Sequence, residues 1–302
     1  MRIIDESPNE RYMKYDDIIG TGAFKIVNKA FDTNEGIYVA WNTIHLDSVP
    51  SSMKNRIGDE IKLLYEVKSK NKYVMNIHNS WINKEKGIVH FISDLAAGGS
   101  LRSFIQNIYH VKLKVVKKWC LQILNGIEFL HENKIIHRDI KSDNIFIRSD
   151  TGNVFIGDFG LAKKSPDDKI HSMIGTPEFM APEIYEENYN HKVDIYSFGM
   201  CLLELLTGQI PYNECTVVPQ IWKRVNDNIK PESLNNVTNL LAKELILECI
   251  SSKANDRPTI SEIKSNLFFN SNNDDELLTY RTYSINIKEV TTLDTINEKE
   301  DI

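Results

Sequence analysis

The sequence predicts a mixed α+β protein of two unequal lobes, a small β-rich one at the N-terminus and a larger, mainly helical one after it. Three observations carry that prediction. Short β-branched and aromatic runs dominate the first 95 residues, the character changes at Gly98-Gly99, and long apolar stripes of helical period follow.

The strand-like runs are YDDIIG, FKIVNKAF, GIYVAWNTI and GIVHFISDL, separated by Gly, Asn and Asp. Between them, Ile57, Ile61, Leu64 and Val67 recur at helical spacing and predict one helix over 52–68, weakened by Gly58 inside it. Beyond the glycine pair, Trp119, Cys120, Ile123, Leu124, Ile127 and Leu130 form a single stripe. A second helix is expected from Asp194 to Gly208, with Pro211 beyond it. Ile195, Phe198, Met200, Leu202, Leu203 and Leu205 make that helix apolar almost all round, as suits one buried on every side. The folded unit is expected to span residues 14–269, split into lobes at 14–95 and 96–269, with 1–13 and the Asn-, Thr- and acid-rich stretch 270–302 as flexible termini.

Composition narrows the function. The 302 residues are 41% hydrophobic and 26% charged, enough apolar material for one large or two medium cores. The net charge is −6, of which residues 270–302, with eight acids and three bases, supply five. A nearly neutral body lacks the basic face that nucleic-acid binding needs. Cys120, Cys201, Cys215 and Cys249 show neither CxxC nor Cys/His ligand spacing, which argues against structural zinc and disulfides and for a reducing compartment, the cytoplasm. The charged start is unlike a signal peptide, and the longest apolar stretch, near 193–211, is broken by Asp194, Glu204 and Pro211, so no membrane span is expected.

The chemistry is concentrated in four short motifs. Gly20-Thr21-Gly22-Ala23 sits between two strands, where glycines let backbone N–H groups approach phosphate oxygens. A lone GxG serves hairpin turns equally well. His137-Arg138-Asp139-Ile140-Lys141-Ser142-Asp143-Asn144 is more specific: the Asp accepts a hydroxyl proton, the Lys neutralises a moving phosphoryl group, and the Asn offers a magnesium ligand. Asp158-Phe159-Gly160 supplies a second hard oxygen ligand, and Ala181-Pro182-Glu183 follows. In this order the motifs resemble a protein-kinase catalytic domain over about residues 14–269. Lys141 and Gly175-Thr176-Pro177 match the Ser/Thr branch. By the same resemblance Arg257 pairs with Glu183 and Asp194 braces the catalytic loop.

One departure is decisive. Where kinases carry Val-Ala-Ile-Lys this chain reads Val39-Ala40-Trp41-Asn42, and an uncharged amide cannot hold the α- and β-phosphates. Either phosphotransfer is lost, leaving an ATP-binding scaffold, or another lysine enters the same space. Strand alternation puts Lys25 on the face of Val27; Lys29 shares that parity but lies further from the phosphate end, so Lys25 is favoured. The exchange resembles the WNK (with-no-lysine) kinases, as do IIHRDIKSDNIFI (135–147), IGTPEFMAPEIYEE (174–187), FGMCLL (198–203) and Trp119-Cys120.

That resemblance implies a bilobal protein-kinase fold and an active MgATP-dependent Ser/Thr kinase, with protein substrates that include Ste20-like kinases. It implies a nucleotide site of Ile19, Gly20, Gly22, Ala23, Lys25, Val27, Ala40, the crossing Ser93, Asp94, Leu95 and Ala96, Lys141, Asn144, and Phe146 as floor. It implies Asp139, Lys141, Lys25 and Glu60 in catalysis, with Glu60 pairing Lys25, Asn144 and Asp158 on Mg²⁺, and Ser172 as an activating phosphosite able to dock on Arg138. Asp168 stands at the family's second, minor phosphosite. Phe159 replaces the family's leucine beside a regulatory chloride, so chloride inhibition is not carried over.

Overall fold

The computed structural model describes residues 1–21, 25–49, 71–159, 162–164, 175–186, 188–271 and 274–280. The helix expected over 52–68, with Glu60, lies outside the described residues. Six strands, β1 (Ile3–Glu6), β2 (Tyr12–Thr21), β3 (Lys25–Asp32), β4 (Ile37–His45), β5 (Ile77–Asn83) and β6 (Ile88–Asp94), form one antiparallel sheet in the order β1-β2-β3-β4-β6-β5. The four strand-like runs all lie in this sheet. Its first strand departs from expectation: Ile3–Glu6, placed in a flexible terminus, pairs with β2. The turn between them is held by Ser7, whose Oγ accepts the Tyr12 N–H at 2.9 Å and whose carbonyl accepts the Glu10 N–H.

Alternation along β4 divides the sheet into two faces. Val39 and Trp41 join Tyr12, Ala30 and Ile92 in a small outer core. Ala40, Asn42 and Ile44 occupy the opposite face, where the register sets Val27 against Asn42, Lys25 against Ile44 and Lys29 against Ala40.

The chain crosses to the second lobe after Asp94. Helix α1 (Leu101–Gln106) is capped by Ser100, whose side chain accepts the Ser103 N–H. After β7 (His110–Lys112), helix α2 runs Leu113–Glu132 and buries Leu113, Val116 and the whole Trp119–Leu130 stripe. It begins before the stripe because Leu113 and Val116 extend the same face one turn and a half earlier. The short strands β8 (Ile135–Ile136), β9 (Ile145–Ile147), β10 (Val154–Ile156) and β11 (Lys163–Lys164) frame the catalytic motifs. Helix α3 (Lys192–Thr207) is buried along nearly its whole length and ends at Gly208, whose φ of 69° closes the helix in the left-handed region. Helices α4 (Val218–Asn226), α5 (Leu240–Cys249), α6 (Ile260–Ser265) and α7 (Leu267–Asn270) complete the lobe.

A second correction concerns the C-terminal stretch. Strand β12 (Leu277–Thr279) pairs with β7, and Tyr280 is buried with its hydroxyl donating to Leu205 O at 2.7 Å. Its ring fills the space beside Gly208, where any Cβ would approach to 2.8 Å. Residues 270–271 and 274–280 are thus part of the folded lobe; 281–302 lie outside the described residues. None of the described helices is long and apolar enough to cross a membrane.

Candidate active site

Between the sheet and the helical lobe lies a cleft with a cavity of about 250 Å³. Its roof is Ile19, Gly20, Lys25, Val27, Ala40 and Asn42; Ser93, Asp94 and Ala96 form the edge at the crossing; Phe146 and Asp158 close the floor. The sequence had singled out each of these. It had not placed Met75, Phe91, Gly99, Ser100 or Phe159 in the nucleotide site, where they complete the wall. Gly157 permits the tight floor, since a Cβ there would stand 2.7 Å from Met75 and 2.8 Å from Phe146. The Leu95 side chain lines a separate cavity on the outer side of the crossing, because successive residues of an extended chain face opposite ways. Gly22, Ala23, Glu60, Asp168 and Ser172 lie outside the described residues.

Asn42 is committed elsewhere. Its buried amide donates to Ser93 Oγ at 3.0 Å and to the Phe91 carbonyl at 3.3 Å, along the sheet. Lys29 is drawn toward the far end of the strand, with Nζ 4.0 Å from the centre of the Tyr38 ring. Lys25 is the lysine that lines the cavity.

The catalytic loop follows β8 and is pinned from below. Asp194, fully buried at the start of α3, accepts the His137 N–H at 2.9 Å and the Arg138 N–H at 2.8 Å. His131 Nε2 lies 2.8 Å from the same carboxylate. Burial alone would raise the Asp194 pKa; the His131 hydrogen bond, the charges of His131 and His137 and the His137 backbone donor more than offset it and hold the group below the usual carboxylate range. Arg138 takes φ 68° and Asp158 φ 56°, both in the left-handed region that side chains avoid, so each motif carries one strained backbone position.

Asp139 sits inside a three-donor cradle. Thr176 Oγ1 donates to Oδ1 at 2.6 Å, Asn144 Nδ2 to Oδ2 at 2.7 Å, and Lys141 Nζ pairs with Oδ2 at 2.9 Å while also donating to Thr176. Burial pushes the Asp139 pKa up, but the Lys141 charge and the Thr176 and Lys141 hydrogen bonds prevail and lower it, so the carboxylate is ionised and able to accept a proton hydrogen bond from an incoming hydroxyl. Phe159 is buried with its ring edge-on to His137, centroids 5.1 Å apart. Arg257 grips Glu183 with both guanidinium NH groups, the longer bond 2.7 Å, as the motif pairing had implied.

Among the described residues no group of three or more His, Cys, Asp or Glu side chains is arranged to hold a metal. What is present is the Asp158 carboxylate on the cleft floor and Asn144, whose amide NH₂ is spent on Asp139, leaving its oxygen as the ligand atom. Two hard oxygens fit magnesium, which keeps waters and takes its remaining ligands from substrate phosphates.

A protein-kinase domain model matches residues 13–269. The chain is 44% identical to the serine/threonine-protein kinase WNK8 of Arabidopsis thaliana, over 87% of this chain and 47% of that one. It is 40% identical to WNK3 of Mus musculus, over 89% of this chain and 15% of the relative, and 41% identical to Wnk of Drosophila melanogaster, over 87% and 11%. The chain belongs to the WNK branch of the protein kinases.

It spans about half the length of the plant relatives it matches and a small part of the animal ones. Within this WNK-family domain the residue that sequence reasoning passed over most plainly is Thr176. Gly175-Thr176-Pro177 marked only the Ser/Thr branch, whereas the Thr176 hydroxyl joins the Asp139 carboxylate to the Lys141 ammonium.

Proposed function

We propose that this protein is a serine/threonine protein kinase that transfers the γ-phosphoryl group of MgATP to Ser or Thr hydroxyls of proteins, with Lys25 doing the work of the lysine missing at position 42. The observation that carries the reading is the division of labour in the roof of the cleft: Lys25 borders the cavity, Asn42 is bonded to Ser93 and Phe91, and Lys29 lies over Tyr38.

In the transfer, the acceptor oxygen attacks the γ-phosphorus, the bond to the β-phosphate oxygen breaks, ADP leaves and the hydroxyl proton passes to Asp139. Thr176, Asn144 and Lys141 hold that carboxylate in place, and Lys25 and Lys141 neutralise charge on the transferring group. Asp158 and the Asn144 oxygen would hold the magnesium ion, which would supply charge compensation to the phosphates. The adenine lies between Val27, Ala40 and Phe146 and bonds the backbone at 93–96. Ser172 is the activating phosphosite, its phosphate docking on Arg138, and Glu60 partners Lys25. Substrates include Ste20-like kinases. The reading places the enzyme in the cytoplasm, which suits the unpaired, buried Cys120, Cys201 and Cys249.

The test is phosphate transfer to a generic basic protein and to the chain itself. Lys25→Met and Asp158→Ala are expected to lower turnover about a hundredfold or more, whereas Asn42→Met keeps it and Ser172 is labelled. Wild-type protein that binds ATP but transfers nothing, even with Ser172 phosphorylated by another kinase, would return the scaffold reading; an active Lys25→Met would move the assignment to Lys29.

A further inference from the structure

Asp94 is the last residue of β6 and borders two cavities. On one side is the cleft; on the other is a separate cavity of about 270 Å³, lined in part by His78, Leu95 and Arg148. Its carboxylate is nearly buried, 11% exposed, and collects donors from both lobes. His78 Nε2, on β5 of the sheet, lies 2.9 Å from Oδ1. Arg148, just past β9 in the helical lobe, donates from NH2 to Oδ2 at 3.1 Å. Asn76 donates to the same oxygen from its amide at 3.1 Å and its backbone N–H at 3.3 Å.

Each partner is itself anchored. The Arg148 guanidinium lies 4.5 Å from the centre of the Phe155 ring on β10, and its backbone N–H donates to Asn153 O at 2.8 Å. The segment bearing Asn76 is tied to the same strand, Met75 N–H donating to Ile156 O at 2.7 Å. Burial would raise the Asp94 pKa, yet the His78 hydrogen bond and the charges of His78 and Arg148 hold it below the usual range. The charge is therefore kept at neutral pH, where the ion pair operates. A covalent crossing fixes only where the lobes meet. A charged bridge there ties the last residue of β6 to the helical lobe at a second, non-covalent point, so that rotation of one lobe against the other about the crossing has to deform or break it.

We propose that Arg148 and His78 are positioning residues, which through the Asp94 carboxylate latch the outer side of the crossing and set how far the nucleotide cleft opens. The proposal rests on the kinase reading only for its consequence. ADP leaves through an opened cleft, so a latch that resists opening slows product release.

The experiment separates the two. Spin labels at Ile82→Cys and Leu267→Cys, exposed sites on the two lobes, are introduced in a Cys215→Ser background, and their separation is measured without nucleotide. Arg148→Met and His78→Leu are expected to give a longer, broader distance distribution. Arg148→Lys and His78→Gln, which keep a donor in place, are expected to restore most of it. The release of a fluorescent ADP analogue is expected to accelerate about three- to fivefold in Arg148→Met, with Arg148→Lys again restoring it. A folded Arg148→Met with unchanged distances overturns the latch, whatever the activity. Widened distances in a protein that binds no ADP leave the latch standing and sink the kinase reading. ADP bound and released at the wild-type rate by a widened variant refutes control of release.

Discussion

Thr176 connects Asp139 and Lys141, the two groups on which the proposed transfer turns. Its hydroxyl donates to Asp139 Oδ1 and accepts from Lys141, so the proposed base, the proposed catalytic lysine and the turn that begins at Thr176 share one hydrogen-bonded unit. Thr176→Val keeps the shape and removes both bonds. Turnover is expected to fall about ten- to a hundredfold with the KM for ATP unchanged, because Thr176 does not line the nucleotide cavity. Removing a donor from a carboxylate also raises its pKa, so the acid limb of the kcat profile shifts to higher pH. A profile that keeps its wild-type limb would show that Thr176 does not tune Asp139. At this scale legibility follows proximity in the chain. Asp139, Lys141 and Asn144 lie within six residues, and their types at that spacing declare their chemistry. Thr176 lies 37 positions from Asp139 and is brought to it by the turn at 177–179, for which local spacing holds no signal. Asn42 was legible as an absence of charge, but its bonds to Ser93 and Phe91 depend on strand pairing across β4 and β6.

The elements of the sheet explain why its strands were readable and its edge was not. The runs over β3, β4 and β6 are buried on at least one face, so the apolar signal is strong. Strand β1 is exposed along all four residues, and only its register with β2 and the Ser7 turn make it a strand. The outer face of β4 and β6 also carries a titratable group. His90, 6% exposed, accepts the Trp41 indole N–H on Nδ1 at 3.0 Å and stacks on Trp81, with centroids 5.3 Å apart. Burial, with the Lys14 charge adding to it, lowers its pKa to about 4. The folded chain therefore refuses a proton that the unfolded chain takes up near pH 6.5. The sheet's stability is complete above that value and is lost progressively as pH falls toward 4, by on the order of 2–3 kcal/mol. Urea denaturation at pH 7.5, 6 and 5 reads the slope. His90→Asn, which retains an acceptor for Trp41 but does not titrate, is expected to be less stable at pH 7.5 and to lose most of the decline between pH 6.5 and 5; an unchanged decline would assign it to other groups.

For the molecule as a whole, the family's domain model ends at residue 269 but the folded lobe continues past it. The stretch read as flexible from its polar, acidic composition is held by particular partners rather than by a hydrophobic run, which is why composition misjudged it. Lys117, 4% exposed on α2, donates to Ser271 O at 2.8 Å and pairs with Asp274 at 2.9 Å. Leu113 N–H donates to Glu276 O, and Asn239 Nδ2 to Glu276 Oε2. Leu278 and Tyr280 then enter the core beside Gly208. Truncation after Asn270 removes two buried apolar side chains and leaves a buried ammonium without its acceptors. The cost is expected to be about 3–5 kcal/mol, lowering Tm by roughly 6–15 °C for a domain of this size. Tyr280→Phe, which deletes only the bond to Leu205 O, is expected to cost about 1 kcal/mol. None of the described residues of this strap lines the cleft or touches Asp139, so well below the melting transition the truncated enzyme is expected to keep its turnover per folded molecule. Calorimetry on the two variants with activity measured at low temperature distinguishes this from a catalytic role. A truncation that leaves Tm unchanged would mean the strap does not hold the lobe together, and one that abolishes turnover while folded would tie it to the chemistry.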